Sequence, residues 1–177
     1  MKGLVIYKGK YGATRQYAEW ISESLGIPAM DGNNVHGKDL AAYNFVVLGS
    51  SIYFGKLLLG KWLKKNVSFL HNKKIFIFSV SGTPTDQIQV LQSCIESSVP
   101  AQIRGNMEVY FFPGRLNIKK LSLFHYAMLK VGAWLTKDPA VKKRMLTECD
   151  DLQQGHTREL ERSVARFCKL PAGHLVT

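Results

Sequence analysis

The chain has 177 residues, 46% of them apolar and 11% aromatic, with 24 Lys or Arg against 13 Asp or Glu for a formal charge of +11. That length and composition suit one domain with a substantial buried core and exclude a charge-dominated disordered chain. No apolar run reaches the ~20 residues a bilayer crossing needs, and no basic–apolar–small layout of a signal peptide opens the chain, so a cytoplasmic protein is expected. The charge surplus favours anionic partners: nucleic acid, an acidic membrane surface, or a carboxylate-bearing substrate. Cys94, Cys149 and Cys168 are odd in number, widely spaced and without a CxxC pair, which reads as free thiols in a reducing compartment.

Lys2–Tyr7 is a short apolar, β-branched run and predicts a strand buried on both faces. Tyr17, Ala18, Ile21 and Leu25 recur at helical spacing, so a helix is predicted over 14–25, closed by Gly26. A weak second strand follows over 27–31, then a short helix over 39–43. Phe45–Gly49 predicts a third strand, a Ser/Gly turn follows it, and a helix is expected from Lys56 to Phe69. Lys74–Val80 is a fourth strand ended by Ser81-Gly82-Thr83-Pro84, with a helix over 85–97 behind it. Glu108–Phe112 is a fifth strand, and 157–167 a closing amphipathic helix. No repeat or Gly/Ser linker divides the chain, so 1–177 is read as a single domain. Buried strands alternating with helices predict a doubly wound α/β sheet, whose ligands bind beyond the carboxyl ends of the strands. The loops after the first, third and fourth strands are the candidates.

The first of these loops is Lys8-Gly9-Lys10-Tyr11-Gly12-Ala13-Thr14. Its glycines let the backbone approach an anion, Thr14 stands where it could cap the helix, and the helix N-terminus adds N–H groups and a positive dipole end. A plain strand–turn–helix connection remains the alternative. The spacing is not the dinucleotide fingerprint GxGxxG. The second loop is Ser50-Ser51-Ile52-Tyr53-Phe54-Gly55, and the third is Ser81-Gly82-Thr83-Pro84-Thr85-Asp86. Gly55–Lys61 matches the first seven positions of a Walker A motif, but Trp62 replaces the Ser or Thr that would hold Mg²⁺, which argues against nucleotide triphosphate binding.

Tyr7 to Ala18, with Gly12 and Thr14 in place, resembles the phosphate loop of flavodoxins. Lys8 and Lys10 depart from it where many flavodoxins carry hydroxyl residues. The resemblance implies a flavodoxin-like five-stranded parallel sheet of order 2-1-3-4-5 with helices on both faces, and FMN as cofactor. It implies phosphate contacts from Lys8, Gly9, Lys10, Tyr11, Gly12, Ala13 and Thr14, and ring contacts from Ser50, Ser51, Ile52, Tyr53, Phe54 and Gly55. Ser81, Gly82, Thr83 and Asp86 would meet the ring edge. Tyr53 is the candidate for stacking on the flavin, with Phe54 second and read foremost as a core aromatic. The third loop carries no aromatic, which would leave one flavin face open to a substrate.

The stretch from Gly114 to about Asp151 is too long for an ordinary connection. Residues 115–146 hold eight Lys or Arg and a single acidic residue, Asp138, and 118–136 shows helical periodicity with Phe124, Tyr126 and Trp134. A basic helical insertion at about 115–150 reads as a membrane-surface or partner-binding element, or as a helix packed on the sheet with its lysines in water. Without a recognised motif, nucleic acid is the weaker partner. Together with Val47–Gly55, the run Gly114-Arg115-Leu116 continuing into Phe124–Lys130 resembles the menaquinone-dependent protoporphyrinogen oxidase family. That resemblance implies a porphyrin substrate and a quinone in heme biosynthesis, an enzyme peripheral to the inner face of the membrane, and contacts from Arg115, Lys119, Lys120 and Lys130 to propionates or headgroups. A flavodoxin that passes electrons between protein partners is the alternative. His36, His71, His125, His156 and His174 form no metal spacing and no acid–base pair, so no catalytic residue is assigned.

Overall fold

Four runs rich in β-branched and aromatic residues, Gly3–Lys8, Phe45–Tyr53, Lys74–Ser81 and Met107–Pro113, become parallel strands whose two faces pack into the core, and the short Ala29–Asp31 pairs at the edge. The computed structural model describes residues 1–116, 130–131, 134, 147 and 149–169. The parallel strands are β1 (Gly3–Lys8), β2 (Ala29–Asp31), β3 (Phe45–Tyr53), β5 (Lys74–Ser81) and β6 (Met107–Pro113), in the order β2-β1-β3-β5-β6. A two-residue strand, β4 (Lys56–Leu57), turns back antiparallel on the end of β3. With that hairpin set aside, the order is the 2-1-3-4-5 expected of a flavodoxin-like sheet. A separate ribbon pairs β7 (Arg115–Leu116) with β8 (Cys149–Asp150).

The two faces of the sheet differ in chemistry. Leu4, Ile6, Val46, Leu48, Ile75 and Ile77 point to an aliphatic layer covered by α2 (Gly60–Lys65), α3 (Val67–Leu70), α4 (Ile88–Ser98) and α5 (Ala101–Arg104). Val5, Phe45, Val47, Phe76, Phe78 and Phe112 point the other way, into a largely aromatic layer under α1 (Ala13–Leu25) and α6 (Arg158–Cys168). Complete burial of each such side chain contributes about 1.5–3 kcal/mol. Helix α1 buries Tyr17, Ala18 and Ile21 on one stripe and stops at Gly26, whose left-handed backbone returns its N–H to the carbonyls of Ser22 and Glu23. On α6, Leu160 and Val164 face the sheet. Its Glu161 is nearly buried too, one carboxylate oxygen accepting a 2.9 Å hydrogen bond from the Ser24 hydroxyl.

Three expectations about elements need correction. The helix predicted over 56–69 starts only at Gly60 and is broken at Asn66, because Lys56 and Leu57 are taken up in pairing with Tyr53 and Ile52. The turn predicted to begin at Ser50 is strand through Tyr53, since Ser50 and Ser51 pair with β5 at Ser79 and Val80. The helix predicted from Thr85 begins at Ile88, after a turn in which the Gln87 N–H bonds the Pro84 carbonyl at 3.1 Å. The insertion at 115–150, including Lys119 and Lys120, lies largely outside the described residues.

Candidate functional site

The register of the sheet brings the candidate loops to one end. Lys8, Ser50, Ser79 and Phe111 stand side by side across β1, β3, β5 and β6. Each of the three loops leaves its strand at or just beyond that row.

The loop after β1 depends on two glycines. Gly12 has φ of 88°, the left-handed region, and is the N-cap of α1. Thr14 is therefore not the cap. It lies inside the first turn, 1% exposed, with its hydroxyl 2.7 Å from that of Ser51. Gly9 is needed for contact: a Cβ there would stand 2.7 Å from the Thr14 Cβ and 3.3 Å from the Ser51 hydroxyl. No side chain caps α1 and no acidic residue sits in its first turn. Its leading N–H groups and dipole end thus present a positive end toward the loop.

The loop after β3 is a tight hairpin. Tyr53 pairs with Lys56, and between them Phe54 and Gly55 both have positive φ, 49° and 68°. Two such residues in sequence make the turn whose twist matches that of its strands, a turn that favours Asn or Asp before the Gly. A bulky side chain in that conformation costs about 1–3 kcal/mol. Phe54 is 59% exposed and is not a core residue, contrary to expectation. The turn lifts its ring out of the sheet and sets it 4.4 Å, edge to face, from the Tyr53 ring. Behind the tip the hairpin is fastened by buried hydrogen bonds: Leu57 N–H to the Ser98 hydroxyl at 2.9 Å and Leu59 N–H to the Ser50 hydroxyl at 3.1 Å. The segment that mimics a Walker A motif, Gly55–Lys61, is thus turn, strand and linker, with only Gly60 and Lys61 in α2.

Two contacts join the first loop to the second. One is the Thr14–Ser51 pair. The other is the Lys10 ammonium, 4.6 Å from the centroid of the Tyr53 ring. The third loop comes to the same end by strand register, with Ser81, Gly82 and Thr83 beyond β5 and Asp86 exposed before α4. Gly114 packs against it, donating its N–H to the Ser81 carbonyl at 2.8 Å.

Sequence reasoning missed the support beneath the first loop. Tyr17 is fully buried, donates its hydroxyl to the Pro113 carbonyl at 3.0 Å and lies 3.2 Å from Nδ1 of His156. It ties α1 to the end of β6, and burial pushes its phenol up to about 12, so it stays a neutral donor. In the sequence Tyr17 signals only an apolar helix position. Of the residues expected to meet propionates or headgroups, Arg115 is held by Asp150 at 2.8 Å across the β7–β8 ribbon, and Lys130 is exposed. Cys94 and Cys168 are free thiols. Among the described residues no cluster of His, Cys, Asp or Glu could hold a metal, and no helix is long and apolar enough to cross a membrane.

Residues 4–143 match the family model described as the flavodoxin domain. The chain belongs to the flavodoxin domain family. One curated relative, an uncharacterized protein of Methanocaldococcus jannaschii, is 34% identical over 87 residues, which are 48% of this chain and 57% of that one. The flavodoxin-domain chain thus spans little more than half the length of that relative. Among solved structures, azoreductase AzrA is similar in fold, with a TM-score of 0.50 at 10% identity, covering 94% of this chain and 100% of that one. A flavodoxin from the domain Archaea aligns with a TM-score of 0.46 at 21% identity, over 64% of this chain and 83% of that one.

Proposed function

We propose that this flavodoxin-domain protein binds FMN beyond the carboxyl ends of β1, β3 and β5 and acts as an FMN-dependent oxidoreductase. The observation that carries the reading is the mouth of α1: a left-handed Gly12, no capping side chain and no carboxylate in the first turn. That is a donor set for a phosphate, supplied by backbone N–H groups of the loop 8–13 and by Thr14, with the lysine ammoniums of the same loop available to the charge. The donor chemistry fits FMN, whose single phosphate needs no second anion site. Thr14 keeps donor and acceptor capacity beyond its contact with Ser51, because a hydroxyl offers one proton and two lone pairs.

Bound FMN would supply the electron chemistry. The chain's own part is binding and orientation. Ser50, Ser51 and Ile52 lie along the strand end where the ring would rest, and Tyr53 offers the stacking surface, with the Lys10 ammonium 4.6 Å from its ring centroid. Ser81, Gly82, Thr83 and Asp86 would border the ring edge. Without an aromatic in that third loop, one ring face is left to a substrate.

The finer reading is an anionic substrate, protoporphyrinogen IX, with a quinone as final acceptor and an anionic membrane surface as the working place. Its support is the concentration of eight Lys or Arg against one acidic residue over 115–146, including Lys119, Lys120 and Lys130. Electron transfer between protein partners is the second reading, favoured by the exposed aromatic at the hairpin tip.

Incubation with FMN, desalting and an absorbance spectrum test the cofactor directly. Retained flavin bands at about 375 and 450 nm are expected, and a colourless protein would end the proposal. Anaerobic reduction of the bound FMN by protoporphyrinogen IX tests the finer reading; no reduction above a buffer control would remove it.

A further inference from the structure

A cleft of about 330 Å³ lies against the outer edge of β6, and none of the residues assigned to FMN lines it. That volume is at the small end of ligand pockets, about 300–1,000 Å³. Ile88, Phe111 and Pro113 form its apolar side, and Ile88 is largely exposed at the start of α4. The backbone offers both polarities there. Asn106 and Gly114 bond to Ile75 and Ser81 of β5, so the alternation of a parallel ladder turns the N–H and C=O of Val109 and Phe111 outward. The side chains offer acceptors. His156 lines the cleft, and its Nδ1 lies 3.2 Å from the Tyr17 hydroxyl, whose single proton goes to the Pro113 carbonyl at 3.0 Å. A carbonyl cannot donate, so both contacts are satisfied only when Nδ1 carries the imidazole proton and the Tyr17 oxygen accepts it. Nε2 is then the lone-pair nitrogen, the polar atom that the ring leaves to the cleft. Glu159 lines the cleft as well. The nearby Glu108 is taken, by Lys74 at 2.7 Å and by the Tyr110 hydroxyl at 2.9 Å. Among the described residues no Lys or Arg lines the cleft, and Arg158 and Arg162 of α6 stand outside its lining.

We propose that this cleft binds a small aromatic cation bearing N–H donors, an amidinium or arylammonium group. Its donors are shared between Nε2 of His156 and the Glu159 carboxylate, and its ring lies against Ile88, Phe111 and Pro113. A cationic donor makes charge-assisted hydrogen bonds to both acceptors, whereas an anion would meet their lone pairs with no cation beside them. The chain's formal charge of +11 repels cations at large, so a preference for one has to come from the cleft itself. Thr85 joins the cleft to the third loop, which sets the bound cation beside the candidate flavin site without drawing on FMN. The class differs from the anionic substrate that the basic stretch 115–146 would recruit, and so does the place.

Benzamidinium is the probe, with its neutral isostere benzamide and the anion benzoate as controls. NMR titrations follow the backbone amides of Val109 and Phe111 in isotope-labelled protein, with and without FMN. Benzamidinium should shift both amides and saturate with a Kd of about 1 mM or tighter. Benzamide should bind about fivefold more weakly or worse, and benzoate should leave both amides unshifted. Glu159→Gln should weaken benzamidinium by about three- to tenfold. His156→Phe keeps a ring in place but removes Nε2, and should weaken it by about threefold or more. Glu159→Lys should invert the preference, so that benzoate binds more tightly than benzamidinium. Melting temperatures are read for each variant; if His156→Phe does not fold, the two substitutions at the exposed Glu159 decide alone. No saturable shift with benzamidinium would overturn the proposal. So would equal binding of benzoate, or binding that Glu159→Gln leaves unchanged. Flavin absorbance is scored separately: benzamidinium binding with this dependence in a protein unable to hold FMN supports the cleft and ends the flavin reading instead.

Discussion

The loop after β1 and the hairpin after β3 use the same rare backbone region for opposite ends. In the first, φ of 88° falls on Gly12, where the absence of a side chain lets the chain turn into α1 without strain and leaves open space at the helix mouth. In the second, φ of 49° falls on Phe54, where the same conformation holds a large ring out in solvent. One loop clears room for a ligand to approach the backbone; the other spends conformational energy to present a side chain. Backbone geometry alone does not reveal which purpose a left-handed residue serves. Its side chain and what surrounds it do.

That contrast can be broken from either side. The largest effect is expected for Gly9→Val, where the added atoms collide with Thr14 Cβ, close to rigid backbone, and with Ser51. A loss of about 1–3 kcal/mol in urea unfolding, with FMN retention abolished, is expected. Near-normal stability would show that the loop is looser than its contacts indicate. Gly12→Ala adds a Cβ that meets nothing within 4 Å, so its cost is conformational alone. About 1–2 kcal/mol is expected in the same measurement, together with weaker FMN binding. If the variant matches the parent, the left-handed cap is not required.

Thr14→Ala removes a buried hydroxyl and orphans Ser51. About 1 kcal/mol of stability should be lost, with a larger relative loss of FMN affinity by fluorescence titration. A double-mutant cycle with Ser51→Ala separates their mutual contact from their contact with a ligand, and full additivity would show that the two hydroxyls act independently. The smallest effect has the opposite sign. Phe54→Asn supplies the residue this turn favours and should raise stability by about 0.5–1 kcal/mol, less whatever the ring contributes against Tyr53. A drop in melting temperature would mean that the Tyr53–Phe54 contact is worth more than the strain.

The alternation of buried strands with amphipathic helices was legible in the chain and so was the end of the sheet where loops gather. Both follow from local apolar periodicity and from the geometry of parallel strands, which need crossovers and leave their carboxyl ends open. The first loop was legible as well, because Gly9 and Gly12 before a helix signal name their own conformational role. Its detail was not: Thr14 looks like a cap from spacing alone, and only the position of Gly12 in three dimensions moves the helix start and turns Thr14 toward Ser51, 37 residues away.

The hairpin was the least legible part. Lys56–Phe69 has the composition of a helix, but its first two residues pair back on β3 instead, and Leu57 is held there by the Ser98 hydroxyl of α4, 41 residues away. Tertiary hydrogen bonds there outweigh local propensity, which is a weak preference per residue. The same reason explains Tyr17. Its spacing marks it as core, while its link to Pro113 joins residues 96 positions apart. By itself the sequence determined the fold, the end of the sheet that matters and the basic charge, since each is a sum over local patterns. Which hydroxyls meet, where α1 begins and that Phe54 faces water were decided by tertiary structure, because they depend on a few contacts between distant segments that no local pattern encodes.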